Sequence, residues 1–383
     1  MAVEVTTEDR FCGAMLGSAI GDAFGYPLTP MTYEQICERF EELGAMELAI
    51  SSKTKSALFT DATQMSLFTA DGMMWAAKDG KAYDNNACAS YVFYSYQLWL
   101  YTQTKTVAGK EYGWLFDKEQ NPNLSRLLRL KGLTKKRNVL DTNINALFAA
   151  KNNKFGRLTA PVNNNTDNCA LKRSTPVGLF YATDSEMAFR MGCDFGAITH
   201  SHPDGYLPCG VYAAMIAELT RESTPEDALD RAMEILQEYP NSSRVYNMLA
   251  AAKDLAADEE VEPLDAVRRL GTGVEAAECL AISVLCMLIH KNNFKFAIEL
   301  AANHDGDSSA CGAVTGGLMG AYYGEYELPV PWIKKLQYQN LIVKLAVHLY
   351  DDADLEFAEQ EYYDANEDDY IKIKPKRKKK RVY

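Results

Sequence analysis

Apolar residues at helical spacing, with very little strand-like alternation, are the feature of this sequence that most constrains its fold. Thr224 is placed to cap a helix whose first residue is Pro225, and apolar residues follow at helical spacing up to position 236. Another helix is predicted from Pro263 to Leu270, because Gly271 is a typical residue just beyond a helix end. Further helices are predicted at 12–20, 64–77, 208–219, 275–292, 295–302, 312–322 and 332–349. The sequence therefore predicts an all-α fold.

The chain divides by composition into a long first part and a charged C-terminal tail. Residues 1–350 are predicted to form one large helical domain, and residues 351–383 are predicted to be a disordered tail. The tail is acidic up to Asp369 and then becomes basic in "KIKPKRKKKR". Three roles fit this pattern: a solubilising tail whose halves attract each other, an arm that binds an anionic partner, or a nuclear address.

Composition excludes several classes of protein. No stretch reaches the ~18 uninterrupted apolar residues of a membrane helix, and the N-terminus lacks a signal-peptide pattern. The nine cysteines occur singly, without the paired spacing of a zinc ribbon or a disulfide framework. A net charge of -12 argues against nucleic-acid binding by the body of the protein. We therefore expect a cytoplasmic protein with no membrane partner.

A small-residue segment, "GAMLGSAIGDAFGYP", places Gly13, Gly17, Gly21 and Gly25 four residues apart. On a helix these glycines share one flat face, which favours close packing against another element. Alternatively, Gly21 and Asp22 bring the backbone close to a ligand. The spacing alone leaves both interpretations open.

Polar residues cluster at two further helix starts. Thr60 and Asp61 precede a helical run as hard metal ligands would, but Ala62 has no oxygen to contribute. Asp61 with Gln64 three residues later also fits a capping box. In "NHDGDSSACG", Asp305 and Asp307 fit either a helix cap or a pair of oxygen ligands.

The segment "ITHSHPDGYLPCG" contains two histidines, His200 and His202. A zinc site is disfavoured because no third nitrogen or thiolate ligand stands next to the two histidines. Contact with an anionic ligand is the favoured interpretation of these loop histidines.

Five segments together resemble the ADP-ribosylglycohydrolase family. "GSAIGDAFGYP" is similar to the family's GDALGxP stretch, "TDATQM" to TDDTQM, and "PVNNNTDNCALKR" to PINNSKGCGGVMR. "ITHSHPDGYLPCG" resembles a THxHPD segment, and "HDGDSSACGAVTGGLMGAYYG" resembles HDGDSDSTGAITGNILGAYYG. The resemblance extends over residues 10–350. It implies a compact, orthogonal all-α bundle that cleaves the bond between ADP-ribose and an acceptor side chain with two Mg²⁺ ions.

The resemblance also implies a metal-ligand set that is only partly present. Thr60, Asp61 and Asp307 match family ligands, and Asp305 is a possible fourth. The other ligand positions are occupied by Ala62, Ser309 and Ala310. Because Mg²⁺ requires near-octahedral oxygen coordination, Mg²⁺ binding is expected to be weak or absent.

The proton-transfer and substrate positions implied by the resemblance are altered as well. Thr29 stands where the family usually has a Glu that handles the proton of the attacking water. Lys172 replaces a Met, and Asp167 is expected to repel a pyrophosphate unless Lys172 or Arg173 offsets its charge. The implied substrate-binding residues are Gly21, Asp22, Asn168, Cys169, Arg173 and His200.

These substitutions favour a catalytically impaired family member, a pseudoenzyme that binds ADP-ribose-like ligands, ADP-ribosylated proteins or another protein. The alternative is an active hydrolase with a retuned site. It would use a single Mg²⁺ held by Thr60, Asp61, Asp305 and Asp307, and Asp204 or Asp167 would act as the base.

Overall fold

The computed structural model describes residues 5–29, 31–40, 44–117, 119–121 and 125–351. Within these residues the secondary structure consists of α-helices, short 3-10 helices and isolated bridges, without a strand. The prediction of an all-α fold is confirmed. The tail predicted at 351–383 lies, apart from Asp351, outside the described residues, and the domain boundary stays a prediction.

The α-helices are numbered in chain order. They are α1 (Thr7–Gly25), α2 (Tyr33–Phe40), α3 (Asp61–Lys78), α4 (Asn85–Thr104), α5 (Asp141–Ala149), α6 (Thr175–Phe180), α7 (Ser185–Ala197), α8 (Pro203–Thr220), α9 (Pro225–Gln237), α10 (Ser243–Ala257), α11 (Pro263–Leu270), α12 (Ala276–Ile289), α13 (Phe294–Ala302), α14 (Ser308–Tyr323), α15 (Val330–Lys335) and α16 (Gln339–Asp351).

Local capping explains where several of these helices begin. The Thr224 side chain accepts a hydrogen bond from the Asp227 backbone N–H, so α9 starts at Pro225 as predicted. Helix α1 begins with a capping box in which Thr6 and Asp9 satisfy each other's backbone N–H groups. The predicted bounds of α11 coincide with the observed ones.

The single helix predicted over residues 332–349 is wrong. The chain there forms α15 and α16, which are separated by Tyr338 in a left-handed backbone conformation with φ of 58°. A left-handed residue cannot continue an α-helix, and Tyr338 carries no sequence signal for that conformation.

The closest helix contact joins α1 to α14 along two rows of glycines. A Cβ atom on Gly21 would lie 1.8 Å from the Gly312 carbonyl oxygen, and one on Gly17 would lie 2.2 Å from the Gly316 carbonyl oxygen. The reverse substitutions meet the α1 backbone equally closely. The four-residue spacing of the α1 glycines therefore serves packing, which brings the two backbones into direct contact.

This glycine contact also fixes the neighbourhood of the candidate site. At its end, a Cβ on Gly25 would meet the backbone of Ser308, the first residue of α14. The start of α14 is therefore held beside the C-terminal turn of α1. A membrane-crossing segment is absent from the described residues, since none of their helices combines sufficient length with sufficient apolar character.

Candidate functional site

The start of α3 is capped by Thr60 rather than by Asp61. The Thr60 hydroxyl accepts a hydrogen bond from the Ala62 N–H at 3.1 Å, and Asp61 is the first helical residue. Gln64 does not complete a capping box, because its side-chain amide donates to the carbonyls of Gly132 and Lys135. The prediction of an Asp61–Gln64 capping box is therefore wrong. The Asp61 side chain is left available for another partner.

Asp22, in the last turns of α1, fixes the position of this helix start. Its carboxylate accepts hydrogen bonds from the backbone N–H groups of Thr60 and Thr63 and from the Thr63 hydroxyl, which lies 2.6 Å away. Burial raises the pKa of Asp22 to about 6, although these hydrogen bonds oppose the rise. Asp22 therefore positions α3, and both of its oxygens accept hydrogen bonds from the start of that helix.

The partner of Asp61 is Lys172. The Lys172 Nζ lies 2.9 Å from Asp61 Oδ1, and both side chains are buried. Burial disfavours the ammonium, but the charge of Asp61, with further contributions from Cys169 and Asp307, outweighs this effect and raises the pKa of Lys172. A permanent cation therefore stands at the start of α3. Asp61 Oδ2 forms no hydrogen bond within the described residues.

Asp307 caps α14, and other protein groups occupy both of its oxygens. Its Oδ1 accepts hydrogen bonds from the Ala310 N–H at 3.1 Å and from the Ser309 hydroxyl at 2.9 Å. Its Oδ2 accepts one from the Asn168 side-chain amide at 2.9 Å. The carboxylate thus serves as a helix cap and as an anchor for the loop that contains Asn168.

These surroundings give a direct test of whether the residues fit a pair of Mg²⁺ ions. Ala62 and Ala310 present buried methyl groups at two implied ligand positions, and the Ser309 hydroxyl is bonded to Asp307. Among the described residues, no three His, Cys, Asp or Glu side chains are grouped as they would be around a metal ion. An octahedral pair of ions needs many more oxygens, so the donor set does not fit.

Asp305 does not join Asp61 and Asp307. Its Oδ1 accepts a hydrogen bond from the Tyr33 N–H at 2.8 Å, and its Oδ2 lies 3.7 Å from the Arg268 Nε. Its side chain is 45% exposed. Asp305 therefore ties the loop before α14 to α2 and α11.

Thr29, at the position where the resemblance implies a catalytic Glu, joins α1 to α14. Its hydroxyl accepts a hydrogen bond from the Ser309 N–H at 3.0 Å and donates one to the Gly25 carbonyl at 3.2 Å. The hydroxyl is fully engaged in these contacts. A threonine with this geometry has a structural role and offers no base to an attacking water.

A directed chain of hydrogen bonds runs from Arg173 to Asp167. The Arg173 guanidinium donates to the Thr199 hydroxyl at 2.7 Å, and that hydroxyl lies 2.8 Å from His200 Nδ1. An ionised carboxylate only accepts hydrogen bonds, so the Asp167 side chain assigns the proton of the neutral imidazole to Nε2, and Nδ1 accepts from the Thr199 hydroxyl. His200 Nε2 then donates to Asp167 Oδ1 at 2.9 Å.

The charges along this chain are set by burial and pairing. His200 is fully buried, and burial lowers its pKa, so the imidazole is neutral near pH 7. Burial also opposes ionisation of Asp167, but the hydrogen bond from His200 outweighs it and lowers the pKa of that carboxyl. Asp167 is 20% exposed and presents its charge toward solvent.

Lys172, Arg173 and His200 all have partners within the protein. Neither Lys172 nor Arg173 pairs with Asp167, because Lys172 bonds to Asp61 and Arg173 bonds to Thr199 and Asn143. Both ring nitrogens of His200 have protein partners, and its contact with an anionic ligand stays a prediction.

His202 is not part of the hydrogen bonds that run from Arg173 to Asp167. Its Nδ1 accepts from the Asp204 N–H and so caps α8. Asp204 in turn lies 3.1 Å from the Arg244 guanidinium.

The other implied substrate-binding residues are buried. Asn168 donates to the Gly273 carbonyl as well as to Asp307, and its Oδ1 forms no hydrogen bond within the described residues. Cys169 is fully buried, and burial raises the pKa of its thiol. Gly21 lies in the glycine contact with α14. The resemblance thus identifies buried residues that support the site, and it does not identify the residues that line an open cavity.

Lys172 is the residue whose role the sequence reasoning missed. The sequence suggests Lys172 only as a charge that offsets Asp167, five positions earlier, whereas the structure pairs it with Asp61, 111 positions away in sequence. The sequence did contain a signal. Relative to the family motifs, the chain gains a lysine at position 172 and loses carboxylates at positions 62 and 309.

Comparison with known proteins agrees with this architecture. The sequence profile described as ADP-ribosylglycohydrolase matches residues 4–359. A solved structure described as an ADP-ribosylglycohydrolase-related protein complex superposes with a TM-score of 0.54 at 19% identity, covering 91% of this chain and 99% of that one. At this identity the likeness supports the fold alone.

Curated proteins with similar sequences include three hydrolases. The chain is 25% identical over 345 residues to ADP-ribosylarginine hydrolase Tri1 of Pseudomonas putida (strain GB-1), covering 90% of this chain and 79% of the relative. Tri1 of Serratia proteamaculans (strain 568) is 27% identical over 183 residues, 48% of this chain and 46% of the relative. ADP-ribosylhydrolase ARH3 of Xenopus tropicalis is 24% identical over 162 residues, 36% of this chain and 46% of the relative.

Proposed function

Because this chain belongs to the ADP-ribosylglycohydrolase family, we propose that it binds ADP-ribose-like ligands, or proteins that carry them, with little or no hydrolysis. The observation that carries the proposal is the buried Lys172–Asp61 ion pair. The resemblance assigns Asp61 to a divalent cation, and here Asp61 holds an ammonium of the chain itself.

An ammonium can replace the charge of a metal ion but not its chemistry. Lys172 supplies one positive charge and three N–H donors, but it has no open coordination position for a water or a substrate oxygen. The family reaction, as the resemblance implies it, depends on such positions. The Lys172 ammonium therefore preserves the electrostatic balance of the site without supporting activation of water.

Lys172 also opposes the entry of a metal ion. A divalent cation 4 Å from the ammonium would be repelled by about 8 kcal/mol at an effective dielectric constant of 20. Asp61 Oδ2 is one oxygen still open to such an ion, but Asp307 offers two oxygens that already accept hydrogen bonds. The Lys172 ammonium is therefore favoured over Mg²⁺ as the partner of Asp61.

The loss of the catalytic base supports the same function. Thr29 joins the Gly25 carbonyl to the Ser309 N–H. A hydrolase needs a group that accepts the proton of the attacking water, and no carboxylate stands at that position. Binding needs no such group, and the loop around Asn168 is still anchored to the start of α14.

The alternative is a slow Mg²⁺-dependent hydrolase, which the unpartnered Asp61 Oδ2 favours. Calorimetric titration of the full-length protein with ADP-ribose and with Mg²⁺ separates the two functions. We expect saturable ADP-ribose binding that a chelator leaves unchanged, and no heat from Mg²⁺. Release of ADP-ribose from arginine- or serine-linked substrates at a rate like that of an intact family member, abolished by a chelator, would reject the proposal.

A matched gain-of-site variant sharpens this test. Lys172→Met removes the ammonium, and Ala62→Asp, Ser309→Asp and Ala310→Thr restore oxygen ligands at family spacing. Mg²⁺ should then stabilise the four-fold variant, by about 2.7 kcal/mol at 100 times Kd, and should not stabilise the parent. If the same variant with Lys172 retained responds equally to Mg²⁺, the ammonium does not exclude the metal. Adding Thr29→Glu should produce hydrolysis only in a variant that binds Mg²⁺.

A further inference from the structure

A large basic cavity lies beside the candidate site, and of its lining residues only Tyr26 falls within a motif discussed above. Its volume is about 860 Å³, and its walls come from Tyr26 and from residues 51–58, 131–137 and 336–340. Five of the lining residues are cationic, namely Lys53, Lys131, Lys135, Lys136 and Arg137, and the described lining contains no Asp or Glu. In a chain of net charge -12, such a concentration of positive charge indicates a site for an anion.

Arg137 is the buried centre of this charge. It is 6% exposed, and one N–H donates to the Phe59 carbonyl at 3.3 Å while the guanidinium lies 5.4 Å from the Phe59 ring centroid. No carboxylate of the described residues forms an ion pair with Arg137, and burial lowers its pKa, although nearby Tyr26, Tyr338 and Asp22 oppose this. A buried cation without a counterion is costly, and an anion in the cavity would relieve that cost.

Lysines surround Arg137 at the exposed edge of the cavity. Lys53, Lys135 and Lys136 are exposed, and none of them forms an ion pair with a carboxylate in the part of the chain that the structure describes. Exposed lysines elsewhere often do, as Lys253 does with Asp230 and Lys291 with Glu226. The cavity therefore combines one buried guanidinium with several exposed ammonium groups, a combination suited to phosphate oxygens.

We propose that this cavity binds a compact polyphosphate, a small ligand with at least two linked phosphoryl groups. The volume is within the range of small-molecule sites. The planar guanidinium suits bidentate contact with one phosphoryl group, and the lysines supply point charges for the next. Tyr26, Thr54 and Tyr338 add hydroxyl groups to the walls. This inference does not rest on the proposed function, because none of the lining residues belongs to the Asp61–Lys172 pair or to the Asp307 cap.

The test uses the full-length protein and inorganic pyrophosphate in magnesium-free buffer at 150 mM salt. The variant Lys135→Glu/Lys136→Glu reverses two charges at the cavity. The control Lys78→Glu/Lys81→Glu makes the same change in net charge near the end of α3, about 27 Å along that helix from its start. We expect saturable binding to the parent, a loss of at least ~10-fold at the cavity variant, and less than about 3-fold at the control.

A second variant examines the buried guanidinium. Arg137→Lys keeps the charge and removes the bidentate geometry, so pyrophosphate should bind more weakly while circular dichroism stays unchanged. Absence of saturable binding to the parent would overturn the proposal, including the case in which the acidic segment 352–369, which follows α16, fills the cavity. Equal losses in the cavity and control variants would show general charge attraction and would also overturn it.

ADP-ribose distinguishes this site from the one under Proposed function. It should not displace pyrophosphate from the parent, and its own binding should survive Lys135→Glu/Lys136→Glu. If ADP-ribose and pyrophosphate displaced each other, they would share one site, and the assignment of a separate pyrophosphate site would be overturned.

Discussion

Helix α14 contains two regions that tolerate change very differently: its glycine face against α1, and its N-terminus at the candidate site. Along the face, Gly312, Gly316 and Gly320 contact the α1 backbone, and no side chain fits between the helices. At the N-terminus, Ser309 and Ala310 stand where the resemblance implies metal ligands, yet the helix still begins at Ser308 because Asp307 caps it. Folding and metal chemistry therefore make separable demands, even within one helix.

The largest effect is expected where the contrast is greatest, at the glycine face. Gly21→Ala places a Cβ 1.8 Å from the Gly312 carbonyl oxygen, and neither helix backbone can move away cheaply. We expect a loss of more than about 4 kcal/mol in the free energy of unfolding, measured by urea denaturation. Gly113→Ala is the matched control, since a Cβ there meets no atom within 4 Å. A Gly21→Ala loss under about 1 kcal/mol would mean that the face is not constrained as described.

Lys172→Met tests how far the site depends on its own cation. The change leaves the Asp61 carboxylate buried without a partner, and we expect unfolding to become easier by about 3–5 kcal/mol. Asp61→Asn in the same background should recover part of this loss, because no unpaired charge then remains.

The exposed Lys253–Asp230 pair is the control for that experiment. Lys253→Met should change the free energy of unfolding by no more than about 1 kcal/mol, because both groups remain hydrated. Equal effects of Lys172→Met and Lys253→Met would show that the buried pair contributes no more to the free energy of unfolding than the exposed pair.

Asp71, on the same helix as Asp61, provides a half-buried carboxylate whose partners are hydroxyl groups. It accepts hydrogen bonds from Ser95 and Ser125, and burial outweighs these bonds and raises its pKa to about 6. The folded state then binds a proton between pH 4 and 6 that the unfolded state has released. This contribution to stability is therefore full below pH 4 and is lost as the pH rises through 6.

The variant Asp71→Asn removes that titration. Relative to the variant, the parent should gain about 3 kcal/mol of unfolding free energy as the pH falls from 7 to 4. Chemical denaturation of both proteins at several pH values measures the difference. Parallel curves across this range would place the pKa of Asp71 at its ordinary value.

The smallest effect is expected at Thr29, where the two regions of α14 meet. Thr29→Val removes the hydroxyl that bridges the Gly25 carbonyl and the Ser309 N–H. We expect a loss of about 1 kcal/mol, the usual net contribution of one hydrogen bond to stability. ADP-ribose binding measured by calorimetry should stay within about two-fold of the parent, corresponding to a few tenths of a kcal/mol. A large loss of binding would give Thr29 a role toward the ligand.

The sequence predicted much of the fold because its helix signals are local. Caps such as Thr224 and stops such as Gly271 act within a few residues, so α9 and α11 were located correctly. The break at Tyr338 was missed, since its left-handed conformation is imposed by tertiary contacts rather than by residue type. The glycine spacing predicted a close contact but could not name α14 as its partner.

The candidate site was predicted less completely, for a physical reason. The motifs identified Asp61 and Asp307 and the missing ligands beside them, because these are adjacent in sequence. They did not reveal that Lys172 contacts Asp61 or that His200 contacts Asp167. These residues are far apart in sequence, and only the folded structure brings their side chains together. The basic cavity was missed entirely, since its cations come from segments about 80 residues apart.

The α1–α14 contact also has a consequence for the order of events during synthesis. Gly13 meets Gly320, so about 300 residues must be made before α1 finds its partner. At 5–20 residues per second this takes roughly 15–60 seconds, during which an apolar helix near the N-terminus lacks the surface that covers it. Loop closure over such a separation also slows folding. Nascent chains shorter than about 320 residues should therefore be the ones most dependent on chaperones.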